Sequence, residues 1–439
     1  MEKRSPVHEI VNALWRALHH LGSDAKLADI ERWGFSIHMA LSAPGREYHN
    51  HDHVVELIGE GDSLEIIAAL YHDAVYIQVD HGLPYSMKTE LGSVLALEAN
   101  GWRVLPAAAG LASETLAVFG RTIGDLVVGT NGLNELASAL VAHIQLATAV
   151  PREAKIAIAA CIEQTIPFRV DPVTPLRDRL TGLGLAGDAL DVVMRRAVRL
   201  GNRDVENFAH NDPAAFLDST WKLLPESNPA LHSPLVYTLI DYRVALQKME
   251  QFLARLPADR VFHSWHDEPK PETYARHVAR TTGNLELAVR YLRAKLYAIG
   301  VVEAIAETTG GDVPVDYFMG APKQSLTDLR HVEQFLPTLD NARDVDPALH
   351  QLLAKGRASE SSFDTGPSPI TAFLHAAVGE SAMLRGLEVA RSWWVGGCEA
   401  AAFLASQPPR PVAAIARAAG NIIDTRRDRL FALADRLER

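Results

Sequence analysis

Apolar residues along this chain recur mainly three and four positions apart, and alternating Val/Ile/Thr runs bounded by turn residues are scarce. That spacing brings apolar side chains onto one face of a helix, so the expected fold class is all-α. Two stripes predict long core-facing helices: Leu235, Val236, Leu239, Ile240, Val244, Leu246, Met249 and Leu253, and then Leu285, Ala288, Leu292, Leu296, Ile299 and Val302. Stretches rich in Pro, Gly, Ser or charge interrupt the pattern at 257–273, 308–322 and 355–369 and mark the expected seams. Beyond the last seam, 370–405 and 411–437 read as two helical segments closing the C-terminal end. No internal repeat is present, which argues against a solenoid.

Composition narrows the class. A chain of 439 residues with 48% hydrophobic and 22% charged residues can bury one large core or two smaller ones, and pervasive disorder is excluded. Only two cysteines, Cys161 and Cys398, occur, so neither a disulfide framework nor a Cys-rich zinc site is available and a reducing compartment is the default. The opening segment reads as an amphipathic helix rather than a signal peptide, and no apolar run is long enough to span a bilayer. The expected location is therefore the cytoplasm. A net charge of −11 argues against an extended nucleic-acid surface, yet it leaves room for a small anionic substrate wherever a metal ion inverts the local potential.

The chemistry concentrates in two stretches: Arg46-Glu-Tyr48-His49-Asn50-His51-Asp52-His53, and Ser63-Leu-Glu-Ile-Ile-Ala-Ala-Leu-Tyr71-His72-Asp73-Ala74-Val75-Tyr76. If the first enters a helix, His49 and His53 project one turn apart from the same face. In the second, Ser63 is the expected N-cap and Leu64, Ile67, Ala68 and Tyr71 form the buried face that carries His72-Asp73 toward the core. Neighbouring helical side chains diverge by roughly 100°, so His72 and Asp73 reach one ion together only beside the helix or where it ends. Imidazole and carboxylate suit Mn, Fe, Zn, Co or Ni, while Mg asks for more oxygen ligands.

The Tyr-His-Asn-x-x-His pattern, followed by an apolar helix ending in His-Asp-x-Val-Tyr, resembles the metal-dependent HD-superfamily phosphohydrolases and, more distantly, the cyclic-nucleotide phosphodiesterases. The resemblance covers roughly residues 30–215. It implies an HD-domain helical bundle over 1–225, with additional C-terminal helices of unassigned role over 226–439. It also implies that His53, His72 and Asp73 hold one or two divalent ions and that His49 protonates a leaving oxygen. A further aspartate from a downstream helix completes the family pattern; Asp204 is the best match, with Asp212 and Asp218 behind it. The expected function is metal-activated hydrolysis of a small phosphomonoester or phosphodiester, a nucleotide included, and self-association stays open. The match loosens after Tyr76, where Asp80, His81, Glu90 and His143 are all candidate second-metal or site residues.

Other features follow from chemistry alone. Asn50 within the motif is a candidate substrate contact, as are Thr165 and Arg169 near the helix stop at Pro167 and Arg203 beside Asp204. His143 lies on an otherwise apolar helix face and reads more simply as a hydrogen-bonded core histidine. His263-Ser-Trp-His266-Asp267 has metal-like spacing but reads as a surface loop, and Trp393-Trp394 as packing. Two other classes remain: an HD-fold di-iron oxygenase, which needs further His or carboxylate ligands, and a non-catalytic metal- or nucleotide-binding regulator that uses the C-terminal half.

Overall fold

In the computed structural model, which describes residues 5–59, 61–129, 132–233, 235–320, 331–340, 342, 344–359, 361 and 363–439, helices make up 67% of the chain, as the apolar spacing requires. The exception is a small antiparallel sheet that the spacing did not reveal. Leu95–Glu98 pairs with Gly101–Val104, which pairs in turn with Leu126–Val127. Gly101 serves the hairpin with φ 147°, and a Cβ there would stand 2.6 Å from the Val127 carbonyl oxygen.

The chain divides into two units, Met1–Ala209 with Pro257–Thr282, and His210–Leu256 with Gly283–Arg439. The first crossing thus falls just before the helix Pro213–Ser227, whereas 225 lies inside that helix. The predicted seam at 257–273 is where the chain returns to the first unit, and part of the seam at 308–322 lies outside the described residues. Among the described residues, no helix is long and apolar enough to cross a membrane.

The first unit is built around Arg152–Gln164, which is buried along most of its length from Ala154 to Gln164. Ser63–Tyr71, Leu133–Gln145 and Gly187–Asp204 supply apolar faces to the same core, with Ile67, Leu70, Leu140, Met194 and Val198 all essentially inaccessible. Pro6–His20 and Leu27–Leu41 add Ile10, Leu14, Leu18 and Ile37. Gly187–Asp204 comes very close to Arg152–Gln164 at one point. An added Cβ on Gly201 would lie 2.6 Å from the Gln164 carbonyl oxygen, so only glycine permits this approach.

The helix Pro271–Thr309 runs from the first unit into the second, and Leu285, Ala288, Leu292, Leu296, Ile299 and Val302 are all buried on its second-unit part. The other predicted stripe begins too early. Thr238 caps the helix Leu239–Arg255 in a capping box with Asp241, leaving Leu235 and Val236 outside the helix and exposed, while Leu246, Met249 and Leu253 are buried. The predicted C-terminal segments are interrupted: 370–405 divides into Pro369–Val378, Glu380–Trp394 and Ala400–Ala405, with Gly379 at φ 83° between the first two. The following segment divides into Pro409–Gly420 and Arg427–Leu437.

The close approach at Gly201 gives a direct test. Gly201→Ala should lower the unfolding free energy by about 1–3 kcal/mol through overpacking, measured by urea denaturation. Unchanged stability would show that the two helices do not meet there.

Candidate metal centre

Helix termini explain how the motif residues reach one place. The Asn50 side chain caps His51–Leu57, accepting from the amides of Asp52 at 2.9 Å and His53 at 3.4 Å. His53 is therefore in the first turn, and His49 precedes the helix instead of lying one turn back on it. The Ser63–Tyr71 helix is capped by Asp62, one residue earlier than expected, in a capping box with Glu65. It ends at Tyr71 with His72 as its C-cap. His72 keeps helical backbone angles, φ −55° and ψ −37°, and its ring meets the Asp73 carboxylate beside the helix end. Asp204 is the last residue of Gly187–Asp204.

These termini bring two imidazoles and two carboxylates together. His53 Nε2 lies 3.0 Å from Asp204 Oδ1 and 3.6 Å from Asp73 Oδ2, and His72 Nε2 lies 2.9 Å from Asp73 Oδ2 and 3.3 Å from Asp204 Oδ1. The donor atoms of His53, His72 and Asp73 all fall within 4.8 Å of one another. Despite this crowding, His72 Nε2 and Asp73 Oδ2 are buried without a partner in hydrogen-bonding geometry. Orphaned buried polar atoms are costly, and lone pairs aimed at a common space are what a cation needs. His49 stands close by, its ring centre 6.0 Å from that of His53 and 4.7 Å from that of Tyr76.

The surrounding bonds set the orientation. His72 Nδ1 is 2.7 Å from the Ala69 carbonyl oxygen, which can only accept, so Nδ1 carries a proton and Nε2 is turned toward the two carboxylates. Arg46, fully buried, grips Asp80 with two hydrogen bonds of 2.9 and 2.6 Å and donates to the Asp73 carbonyl oxygen at 2.6 Å. A third helix, Leu133–Gln145, pins the segment after Asp73: Ser138 Oγ accepts from the Val75 amide and Asn134 Oδ1 from the Ile77 amide, both at 3.0 Å.

Electrostatics follow from this packing. For His72, burial disfavours the charged ring, but Asp73 and Asp204 outweigh it and raise its pKa well above 6.5. Burial pushes the Asp73 carboxyl up, yet the His72, His49 and His53 rings hold it far below the usual carboxylate range. Asp204 is likewise disfavoured by burial and drawn down to about 2 by His53 and His72. Glu135, in the first turn of Leu133–Gln145, goes the other way. Burial, reinforced by the negative charges of Asp73 and Asp204, pushes it up to about 7.

Arg46, bonded to the Asp73 carbonyl, and Glu135, which the charges of Asp73 and Asp204 reach, are the residues around the centre that sequence reading missed. The available signals were a carboxylate in a first turn and an arginine just before the Tyr-His-Asn motif.

The remaining candidates are placed as follows. Thr165 is buried and donates to the Ile162 carbonyl oxygen at 2.8 Å. Arg169 pairs with Glu163 at 2.6 Å, and Arg203 faces Glu65 at 3.6 Å near the start of Ser63–Tyr71. Glu90 accepts from Gln145 at 3.4 Å, Asp80 is taken by Arg46, and His81 is exposed with φ 55°. Asp212 and Asp218 both belong to the second unit. His143 is buried with Nδ1 2.8 Å from Thr115 Oγ1, and burial lowers its pKa to about 4.

No family model, no curated protein and no solved structure matches this chain.

Two predictions arise from these surroundings. Arg46→Met, which frees the Asp73 carbonyl and Asp80, should weaken Mn²⁺ binding roughly 10-fold in calorimetric titration; undiminished affinity would remove its positioning role. The second concerns pH. His143 has a lower pKa folded than unfolded, so the unfolded chain takes up the proton first as pH falls. The stability it confers as a neutral ring is present above pH 6.5 and lost as the pH drops toward about 4. Urea unfolding at pH 7 and pH 4.5 should show a smaller loss for His143→Gln than for the unaltered protein, and equal losses would contradict the assignment.

Proposed function

We propose that this protein is a metal-dependent phosphohydrolase whose first unit cleaves a small phosphomonoester or phosphodiester, with nucleotides among the substrates to test. The observation that carries the reading is the convergence of His53, His72, Asp73 and Asp204 from three separate segments into one largely buried space, with imidazole nitrogens and carboxylate oxygens 2.9–3.6 Å apart. The donor set fits a divalent ion such as Mn, Fe, Zn, Co or Ni. When bound, such an ion supplies Lewis acidity toward water and phosphoryl oxygens.

The chain's own residues supply the rest. Glu135, which interacts electrostatically with Asp73, Asp204 and His72, is our candidate for taking the proton from the attacking water. His49, outside the ligand set but beside His53, gives a proton to the departing oxygen. Arg46 keeps Asp73 in register by holding its carbonyl. Arg169 is engaged by Glu163 and Arg203 faces Glu65, so substrate charge is met chiefly at the metal centre. A cytoplasmic setting accompanies this reading, since Cys161 and Cys398 are both free thiols.

The test is a panel of p-nitrophenyl phosphate, bis(p-nitrophenyl) phosphate and nucleotides, with metal content measured on protein purified without added metal. Turnover should stop with chelator, return with added metal, and fall by about 10³-fold or more in His72→Ala. Glu135→Gln should lower kcat by roughly 10²-fold while keeping bound metal. Full turnover by His72→Ala or by chelated protein would overturn the proposal.

A further inference from the structure

The second unit contains a pocket, open to solvent on one side, that the proposed metal chemistry does not use. Tyr237, Ile299, Val302, Met319 and Phe363 give it largely apolar and aromatic walls. Lys295 stands in that wall and is itself buried. Its Nζ donates to Asp364 Oδ2 and to Ser368 Oγ, both at 3.1 Å, and lies 4.8 Å from the centre of the Trp221 ring. Arg357, also buried but behind the wall, sits 4.4 Å over the same ring and 3.7 Å from Asp364 Oδ2, and among the described residues its Nε has no partner.

Two buried cations thus share one carboxylate, which also accepts from Trp221 Nε1 at 2.8 Å and Tyr242 Oη at 2.7 Å. Asp364 is ionised: burial opposes this, but Lys295 and Arg357 hold its pKa below the usual range. The cluster therefore carries one positive charge in excess. Aromatic faces offset part of the cost of burying that charge, but a counter-anion is what removes it. The acids elsewhere on the wall have a different neighbour. Glu333 lies 3.9 Å from His331, which also acts on Asp316. Asp316 Oδ1 is buried and, among the described residues, accepts no hydrogen bond.

We propose that this cavity binds a small organic carboxylate: the anion pairs with Lys295 on the wall, an apolar body packs on Tyr237 and Phe363, and a hydroxyl at the far end donates to Asp316. This site is independent of the phosphate-ester chemistry of the first unit, and its fate does not depend on that reading.

Calorimetric titration of the full chain with 4-hydroxyphenylacetate, phenylacetate, 4-hydroxyphenylacetamide and tyramine tests each part. The hydroxy acid should bind tightest, phenylacetate roughly 10-fold more weakly for want of the donor, and the uncharged amide and the cationic amine not measurably. Lys295→Met should abolish binding without lowering the unliganded melting temperature, because it removes the excess charge and leaves Arg357 paired with Asp364. Ile299→Phe fills the cavity with every charge in place and should also abolish binding, so the test survives if Lys295→Met fails to fold. Absence of binding by either carboxylate, equal binding of the amide, or undiminished binding in Ile299→Phe would overturn the proposal.

Discussion

Two carboxylates and two imidazoles crowded into one largely buried space constrain the first unit more than any other interaction. Asp73 and Asp204 each approach His72 Nε2 within 3.3 Å, and both lie near His53 Nε2. Carboxylates held this close need positive charge between them. Protons on the imidazoles can supply it, which is why the His72 pKa rises while those of Asp73 and Asp204 fall. A divalent ion can supply it too, and it would use the His72 Nε2 that the Ala69 carbonyl already turns inward.

The rest of the first unit can be understood as the means of holding that crowding. Each contributing side chain sits at or beside a helix terminus. The termini are fixed by caps at Asn50 and Asp62 and by the Arg46 clamp on Asp73 and Asp80. The approach of Gly201 to the Gln164 carbonyl seats the end of the helix that carries Asp204. Packing and the candidate centre are joined at that glycine, because any side chain there would shift the helix end that carries Asp204.

Much of this was legible in the sequence, for identifiable reasons. Apolar spacing revealed the helices because each buries one face, and the stripe from Leu285 to Val302 is buried at every position. The resemblance of the two motif stretches to the HD superfamily pointed to His53, His72 and Asp73 and, as the downstream aspartate, to Asp204, four side chains that the fold brings together. The edges were less legible: Asp62 outcompetes Ser63 as cap because it forms the reciprocal bonds with Glu65. Long-range partners left no mark in the pattern. Glu135 looks like any first-turn carboxylate until tertiary packing buries it near Asp73 and Asp204, and Arg169 looks like an anion contact until Glu163 is seen to hold it. The short sheet was missed because four-residue strands are too brief to establish an alternating pattern.

The most direct test of the central claim is anomalous diffraction from crystals of the protein grown with Zn²⁺. The account predicts a peak bonded to His53 Nε2, His72 Nε2 and the Asp73 and Asp204 carboxylates at about 2.0–2.2 Å. A fully zinc-exposed crystal with no peak among these four residues, or with His53 and His72 turned away from each other, would contradict it.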